Sequence, residues 1–455
     1  MGICFHQLAT KISNDRTTGI LINRMESLRY HIHVALGQDT IVDLNTIAKM
    51  FAGVVDILGE NIYYCILFLN NRLNCIASRI DLFHMSRFRI TFLLPHAGLA
   101  GGIKVVATYA KILHDRGHAV SVLSIPKRNG TLVGQVKSII KRRPIPARNP
   151  EHGPSHLDGL GLDWRILETC RPVTDADVPD ADIVVATWWE TAEWVSELSS
   201  SKGVKAYFLQ HHEVHDGQPK ERVAATWRLP LRKITISQWL SDTNQKVYGL
   251  GPIPIVHNSV DTDQFHAPDR RRKNPPVVGL LYSKTYWKGV KDSFYAIDKA
   301  REKFPDMRVL MFGATEDDEE LPKPGNAELI VRPPQNQIKD IYGACDYWLC
   351  GSLAEGFHLP PLEAMACRLP VISTKVGGPM DIIRPGENGY LSPTQDPDAL
   401  AQNLIKALSL SEEEWKAMSL AAYKTATDYT WDDATDLFLQ ELQAVIEKGH
   451  LDQPM

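Results

Sequence analysis

From residue 89 onward, the pattern of apolar and polar positions predicts strands that alternate with helices. Short apolar runs end at polar or glycine-rich turns, and segments with helical periodicity follow them. This order is typical of parallel sheets, and the predicted fold class is therefore α/β. The predicted strands are 90–94, 119–125, 181–186, 206–209, 233–236, 277–282, 308–313, 347–350 and 371–373. The predicted helices include 104–116, 238–248, 398–408 and 411–427.

Residues 1–84 show loose helical periodicity and carry no pattern that indicates chemistry. At Met85 the pattern changes, because a methionine, basic residues and a buried strand follow one another as at the start of a protein. We therefore expect the natural domain to begin near Met85, with 1–84 as an extension of unknown role or a mis-called start. A small accessory domain is the competing interpretation, and mass spectrometry of the native N-terminus separates the two.

Composition limits the class of protein. The chain has 455 residues, of which 44% are hydrophobic and 23% charged, as in ordinary globular proteins, and its net charge of -4 argues against a nucleic-acid binder. Seven scattered cysteines without a C-x-x-C pair favour reduced thiols over disulfides or a zinc site. No apolar run approaches the roughly eighteen residues of a membrane-spanning helix. No signal peptide is apparent either, and we expect a cytoplasmic protein.

The stretch 127–149 is rich in lysine and arginine. One interpretation is a solvated loop. The other is contact with anionic lipid headgroups of the inner membrane surface or with a lipid-diphosphate acceptor, since a polybasic segment gains about 1 kcal/mol per charge near such a surface. Liposome co-sedimentation with and without anionic lipid tests the second interpretation.

The most informative stretch is 354–367, which follows the predicted strand 347–350. It places Glu355 on a loop and Glu363 about one turn into a helix, with the N–H groups of Gly356 and Phe357 between them. Helix starts bind anions, and the carboxyl ends of parallel strands border ligand sites. This arrangement predicts two carboxylates that hold hydroxyls beside backbone N–H groups and a lysine that hold phosphate.

With Gly-Phe and Leu-Pro-x-Leu-Glu-Ala-Met-Ala inside the E-x7-E spacing, followed by 370–372 and Gly377-Gly378, this stretch resembles the retaining family-4 glycosyltransferases of GT-B fold, glycosyl transferases group 1. The resemblance implies two Rossmann-like domains that face each other across a cleft. It also implies that Glu355 faces the transferred sugar and that Glu363 binds the ribose hydroxyls of a nucleotide-sugar donor, with Gly377 close to that donor.

The domain limits that we predict follow this resemblance. They are an N-terminal extension 1–84, an acceptor domain 85–268, a linker 269–276, a donor-binding domain 277–430 and a C-terminal helix 431–455 that returns to the first domain.

The turn after strand 277–282 departs from the family pattern. The family has an arginine and, several residues later, Lys-Gly, with both cations on the donor diphosphate. Lys288 and Gly289 match the second part, whereas Ser283 stands at the arginine position and Lys284 is its neighbour. Either Lys284 substitutes for the arginine, or Lys288 and backbone groups hold the diphosphate alone. A lysine is a point charge where an arginine offers a bidentate fork.

The first domain supplies further candidates. Gly101 and Gly102 follow the first strand and let backbone approach phosphate or sugar closely. A dinucleotide-dependent oxidoreductase is the rival interpretation, but G-x-G-x-x-G and the acidic residue after the second strand are missing. By resemblance, a polar residue after strand 206–209 faces the donor sugar. His211 is that candidate, with Glu213 behind it and a register uncertain by one residue.

Two motifs allow more than one interpretation. The tryptophans 188, 189 and 194 favour simple packing, whereas an acceptor role for Trp188 or Trp189 is the alternative, since aromatic faces carry sugars. The D-x-D at Asp261-Thr262-Asp263 suggests a metal site, but it lies inside what resembles the family's Asn-x-Val-Asp-x-x-x-Phe element. We therefore predict no metal and no cofactor besides the donor substrate.

The resulting functional prediction is a retaining, metal-independent transferase of hexosyltransferase type. It moves a sugar from a nucleoside-diphosphate sugar to a glycan or lipid-linked acceptor, in cell-surface polysaccharide synthesis. Two alternatives stay open. One is a nucleotide-sugar epimerase or hydrolase of the same fold, and the other is a non-catalytic member that binds sugar or nucleotide.

Overall fold

The computed structural model describes residues 87–126, 153–215 and 217–451, with side chains as far as Glu447. The predicted extension 1–84 and the basic stretch 127–149 lie outside the described residues. Residues from Arg87 onward form one compact unit.

The first lobe is built on a six-stranded parallel sheet in the order β3-β2-β1-β4-β5-β6. Its strands are β1 Arg89–Leu94, β2 Ala119–Ser124, β3 Asp163–Ile166, β4 Ile183–Ala186, β5 Val204–Leu209 and β6 Arg232–Thr235. Its helices are α1 Gly101–Asp115, α2 Trp189–Glu197, α3 Lys220–Thr226 and α4 Gln238–Lys246. The central strands β1 and β4 are almost wholly apolar and buried, because helices cover both faces of a parallel sheet.

The second lobe repeats the plan with the order β12-β11-β10-β7-β8-β9. Its strands are β7 Val277–Tyr282, β8 Arg308–Gly313, β9 Ala327–Val331, β10 Tyr347–Cys350, β11 Val371–Thr374 and β12 Gly389–Ser392. Its helices are α5 Val290–Arg301, α6 Ile338–Gly343, α7 Leu359–Ala366, α8 Gly377–Ile382, α9 Pro397–Leu408 and α10 Glu412–Thr427. The predicted α/β class with two Rossmann-like sheets is confirmed.

A last helix, α11 Trp431–Leu451, packs on the first lobe. The ring of Phe438 lies 4.5 Å from that of Tyr109 and 5.1 Å from that of Phe208, centroid to centroid. Arg116, just after α1, forms ion pairs with Asp432 and Asp436 of this helix. The chain thus crosses between the lobes twice, before β7 and before α11.

The segment before β7 is held against the second lobe. Asp346 is fully buried and accepts hydrogen bonds from the Arg270 guanidinium at 2.7 Å and from the backbone N–H groups of Lys273 and Val277. The Arg272 N–H donates to Glu412. Because these bonds fix several successive residues, the crossing is a structured connection rather than a free tether.

Candidate functional site

The cleft lies where the central strands of both sheets end. In each sheet the order reverses between two neighbours, β1 and β4 in the first and β7 and β10 in the second. Ligands of open α/β sheets bind outside the strand ends at this reversal point. A cavity of about 460 Å³, lined by residues of both lobes, occupies this place. Its volume suits a small-molecule ligand.

Glu355 is the most heavily bonded acidic group of the cleft. It follows β10 and is 5% exposed. The Lys288 ammonium donates to both carboxylate oxygens, at 2.8 and 3.0 Å, and the Ser352 hydroxyl donates at 2.9 Å. Burial raises the pKa of Glu355, but the combined effect of His358, Lys288 and Ser352 is larger and leaves the pKa below its usual value. Glu355 is therefore ionised at neutral pH.

The turn that carries Lys288 depends on the glycine after it. Gly289 has φ +56°, and a Cβ there would lie 1.7 Å from the carbonyl oxygen of Gly351. The Leu353 N–H also donates to the Trp287 carbonyl at 2.7 Å. Only glycine lets the turn after β7 approach the end of β10 this closely. The Lys-Gly pair recognised in the sequence therefore places Lys288 on Glu355.

Glu363 stands in the second turn of α7 and reaches both a tyrosine and the other lobe. The Tyr342 hydroxyl donates to one carboxylate oxygen at 3.1 Å, and the Lys104 ammonium from α1 donates to the other at 3.2 Å. Lys104 also lies 4.7 Å from the centroid of the Phe265 ring. Sequence reasoning missed Lys104 and Tyr342, because neither stands in the motif.

His358 is a third residue that sequence reasoning missed, although it stands inside the motif. It is 8% exposed, has φ +68° and precedes α7. Its Nε2 lies 3.6 Å from Glu355, and its buried Nδ1 has no hydrogen-bond partner among the described residues. Burial lowers the pKa of His358 to about 4. A neutral imidazole therefore stands beside the Glu355 carboxylate at neutral pH.

The two lobes touch through glycines that the sequence predicted at the site. A Cβ at Gly356 would lie 1.8 Å from the carbonyl oxygen of Gln210. The side-chain amide of Gln210 donates to the carbonyl of Gly102 at 3.2 Å. Gly101 and Gly102 begin α1, three residues earlier than predicted, and line the cavity together with the buried Phe357. The absence of a side chain at Gly356 allows backbone to meet backbone, whereas Gly102 faces the Gln210 side chain.

His211 lines the cavity, and its predicted role against the donor sugar stays a prediction. Its neighbour His212 lies 2.9 Å, through Nε2, from the Tyr248 hydroxyl and packs on Trp227, away from the cavity. Burial lowers the pKa of His211 to about 4, while the nearby Glu355 charge opposes this shift. His211 is therefore neutral at neutral pH.

Trp188 lines the cavity, but Trp189 does not. Trp189 is 3% exposed, donates from its ring to Gln218 at 3.2 Å and lies under the guanidinium of Arg222. Glu213 is also 3% exposed and accepts a hydrogen bond from the Trp189 N–H at the start of α2. Burial raises the pKa of Glu213 well above its usual value. Glu213 lines the cavity and also supports the start of α2, whereas Trp189 does not line the cavity. The acceptor roles of these residues stay predictions.

Three predicted donor-binding residues lie outside the cavity. The Lys284 ammonium pairs with Asp318, and the Ser283 hydroxyl accepts a hydrogen bond from the Thr285 N–H at 3.2 Å. Gly377 lies behind the motif loop, since a Cβ there would be 2.4 Å from the Glu355 carbonyl oxygen. Lys284 is held by Asp318 and does not line the cavity, and its role at the diphosphate stays a prediction. Gly377 lies against the back of the motif loop.

The D-x-D segment forms a turn. The side chain of Asp261 accepts hydrogen bonds from the N–H groups of Asp263 at 2.9 Å and Gln264 at 3.0 Å. An aspartate that accepts from the backbone two and three residues later stabilises a turn. This contact accounts for Asp261 without a metal, and the metal-independence of the protein stays a prediction.

Two facing parallel sheets with this strand order, joined by two crossings and enclosing a site at both reversal points, define the GT-B class of fold. The fold is similar to that of sucrose-phosphate synthase from Thermosynechococcus elongatus, with a TM-score of 0.58, 15% identity, and coverage of 80% of this chain and 100% of that one. It is also similar to Anabaena Alr3699/HepE in complex with UDP and glucose, with a TM-score of 0.59, 16% identity, and coverage of 79% and 100%.

Sequence comparison matches a family model to the second half of the chain. Residues 261–425 match the family model described as glycosyl transferases group 1. This match covers about a third of the chain and contains the E-x7-E motif, so the resemblance carried by the motif is confirmed for this part of the chain.

The curated relatives match only part of the chain. A D-inositol 3-phosphate glycosyltransferase from Mycolicibacterium paratuberculosis is 29% identical over 213 residues, which are 43% of this chain and 48% of that protein. D-inositol 3-phosphate glycosyltransferase 1 from Catenulispora acidiphila is 33% identical over 116 residues, which are 26% and 28%. The chain thus spans about half, or less, of the length of these relatives.

In the part of the chain that the structure describes, no helix combines the length and the apolar character needed to cross a membrane.

Proposed function

We propose that this protein is a retaining glycosyltransferase that moves a sugar from a nucleoside-diphosphate sugar to a glycan or lipid-linked acceptor. The observation that carries the proposal is the pairing of Glu355 with Lys288 at the reversal point of the second sheet, with His211 on the opposite wall of the cleft. One cation, one ionised carboxylate and two neutral imidazoles, those of His211 and His358, converge there. They suit a ligand with an anionic part and a hydroxyl-rich part.

The chemistry follows from what each group can offer. Lys288 leaves Glu355 for the donor diphosphate and stabilises the charge that develops as the bond between the anomeric carbon and the phosphate oxygen breaks. Glu355, freed of the lysine, accepts hydrogen bonds from sugar hydroxyls, and neutral His211 holds the sugar from the other side. The acceptor oxygen attacks from the face that the diphosphate leaves, and its proton passes to a phosphate oxygen. The anomeric configuration is retained.

We propose the donor and the acceptor only by their chemical class. Alr3699/HepE forms a complex with UDP-glucose, and the similar relatives are named for D-inositol 3-phosphate. These names favour a nucleoside-diphosphate hexose as donor and a polyhydroxylated acceptor. We place the reaction in cell-surface polysaccharide synthesis on the cytoplasmic side, with no metal, because Lys288 supplies the positive charge at the leaving group.

The first experiment is calorimetric titration of the full chain with UDP, GDP, ADP and dTDP, repeated on Glu363→Ala. We expect micromolar binding of one diphosphate and its loss in the variant, since Glu363 is the predicted ribose ligand. Glu387→Ala is the matched control, because Glu387 is exposed and forms only a long ion pair, 3.9 Å, with the exposed Arg384. If the wild-type protein binds none of the four diphosphates, the proposal is contradicted.

A second assay follows nucleotide release with the matching sugar donor and an acceptor panel, in buffer with EDTA. Glu355→Ala, Glu363→Ala and Lys288→Ala should each cripple release while the proteins stay folded by circular dichroism. Full activity in all three variants would overturn the assignment. Conversion of donor without acceptor would favour an epimerase or hydrolase, and binding without turnover would favour a non-catalytic member.

A further inference from the structure

Lys104 reaches across the cleft to the second carboxylate of the motif. It stands in the first turn of α1 in the first lobe, and its side chain is 19% exposed. Its ammonium donates to Glu363 at 3.2 Å and lies 4.7 Å from the centroid of the Phe265 ring. The two ends of the E-x7-E motif therefore each pair with one lysine. Lys288 of the same lobe pairs with Glu355, and Lys104 of the facing lobe pairs with Glu363.

The charges of the cleft show what Lys104 needs when a ligand enters. An ammonium that is largely removed from water requires a counter-charge, which Glu363 provides in the free protein. If ribose hydroxyls take the oxygens of Glu363, as proposed above, Lys104 loses that partner. The ligand brings a replacement, because a diphosphate linked to ribose and sugar carries two negative charges close to the ribose.

The second lobe offers one lysine for those two charges. Among the described residues that line the cavity, Lys104 and Lys288 are the only lysines or arginines. Lys284 is next in sequence to the expected second cation, but its ammonium is paired with Asp318 outside the cavity. If a second cation binds the diphosphate, Lys104 of the first lobe is the one that already lines the cavity.

We propose that Lys104 is a ligand of the donor diphosphate, supplied by the facing lobe and exchanged from Glu363 as the ribose binds. This inference rests on the proposed function. Lys104 and Lys288 then behave alike when the donor binds. Each lysine leaves its glutamate for a phosphate group of the donor, and the glutamate accepts hydrogen bonds from hydroxyls of the donor. Because Lys104 and Lys288 belong to different lobes, both lobes take part in holding the diphosphate.

The test compares a nucleoside diphosphate with its nucleoside. Wild-type protein, Lys104→Met and Lys104→Arg are titrated with whichever of UDP, GDP, ADP and dTDP the wild type binds, and then with the matching nucleoside. Lys111→Met is the control, because Lys111 lies on the same helix and forms an exposed pair with Asp115. Methionine keeps the length of the side chain and removes only the charge.

We expect Lys104→Met to weaken diphosphate binding by about 10- to 100-fold, the loss typical of one hydrogen bond to a charged group. Nucleoside binding should stay equal or become tighter, because Glu363 is then free. Lys104→Arg should restore most of the diphosphate affinity, and Lys111→Met should behave as wild type.

Three outcomes would overturn the inference. Unchanged diphosphate binding in Lys104→Met would show that the lysine does not touch the ligand. Equal losses of affinity for diphosphate and nucleoside would give Lys104 a merely structural role. Tighter binding of both would mean that the Lys104–Glu363 pair only opposes binding of the ligand. If the wild-type protein binds none of the four diphosphates, the proposed function fails and this inference fails with it.

Discussion

A methyl group at residue 356 is expected to separate the lobes at the site. The Cβ of Gly356→Ala would lie 1.8 Å from the Gln210 carbonyl oxygen, whereas carbon and oxygen need about 3.3 Å. The difference between these distances requires a displacement of roughly 1.5 Å between the loop after β10 and the segment after β5. The Gln210 oxygen belongs to the backbone, so no rotation of a side chain relieves the contact.

The consequence should appear in turnover rather than in stability. A misplacement of about 1 Å near the reacting atoms can cost about 100-fold in rate. We therefore expect kcat/KM of Gly356→Ala to fall by about 100-fold, because His211 moves away from Glu355 across the cleft. The midpoint of thermal unfolding should change little, since the contact joins two lobes and does not belong to either core.

The assay is nucleotide release under initial-rate conditions, together with thermal unfolding of the same preparations. Gly325→Ala is the matched control, because a Cβ there meets nothing within 4 Å. Wild-type kcat/KM in Gly356→Ala would refute the reasoning, since it would mean that the lobes are not in contact at this point during turnover. A large fall in the Gly325→Ala control would do the same.

Two predictions concern stability, each measured by urea unfolding. His211 and His358 have pKa values lowered to about 4, whereas unfolded histidines protonate near 6.5, so stability should fall as the pH falls through this window. The slope is about 1.4 kcal/mol per pH unit per histidine, and it should be shallower in His358→Gln; equal slopes would contradict this. Asp346→Ala should lose about 3–5 kcal/mol, because it leaves Arg270 without its buried partner. Asp269→Ala removes an exposed pair and should lose at most about 1 kcal/mol; similar losses in both would refute the argument.

Three strands of the second sheet could be predicted from the sequence to the residue. Val277–Tyr282, Arg308–Gly313 and Tyr347–Cys350 have the predicted bounds, because a strand covered on both faces is a continuous apolar run between turns. The edge strands Asp163–Ile166 and Ala327–Val331 were not predicted. Each is covered on fewer sides and tolerates polar residues, so the apolar signal is lost.

The sequence alone also determined the local part of the site. Glu355, Gly356 and Glu363 lie within nine residues, and the sequence of a strand, a loop and a helix start brings them to the same end of the sheet. The same holds for Lys288 and Gly289, whose turn depends on one glycine conformation. The relative position of residues that are close in sequence depends mainly on the conformation of the few residues between them.

Only the tertiary structure decided the contacts between distant segments. Lys104 and Glu363 are 259 positions apart, and no spacing rule relates a helix of one lobe to a helix of the other. The pairing of Lys284 with Asp318 and the burial of Trp189 likewise depend on what packs beside them. A side chain adopts the partner that lowers the cost of burying its charge or its apolar surface, and that partner exists only once the two lobes have come together.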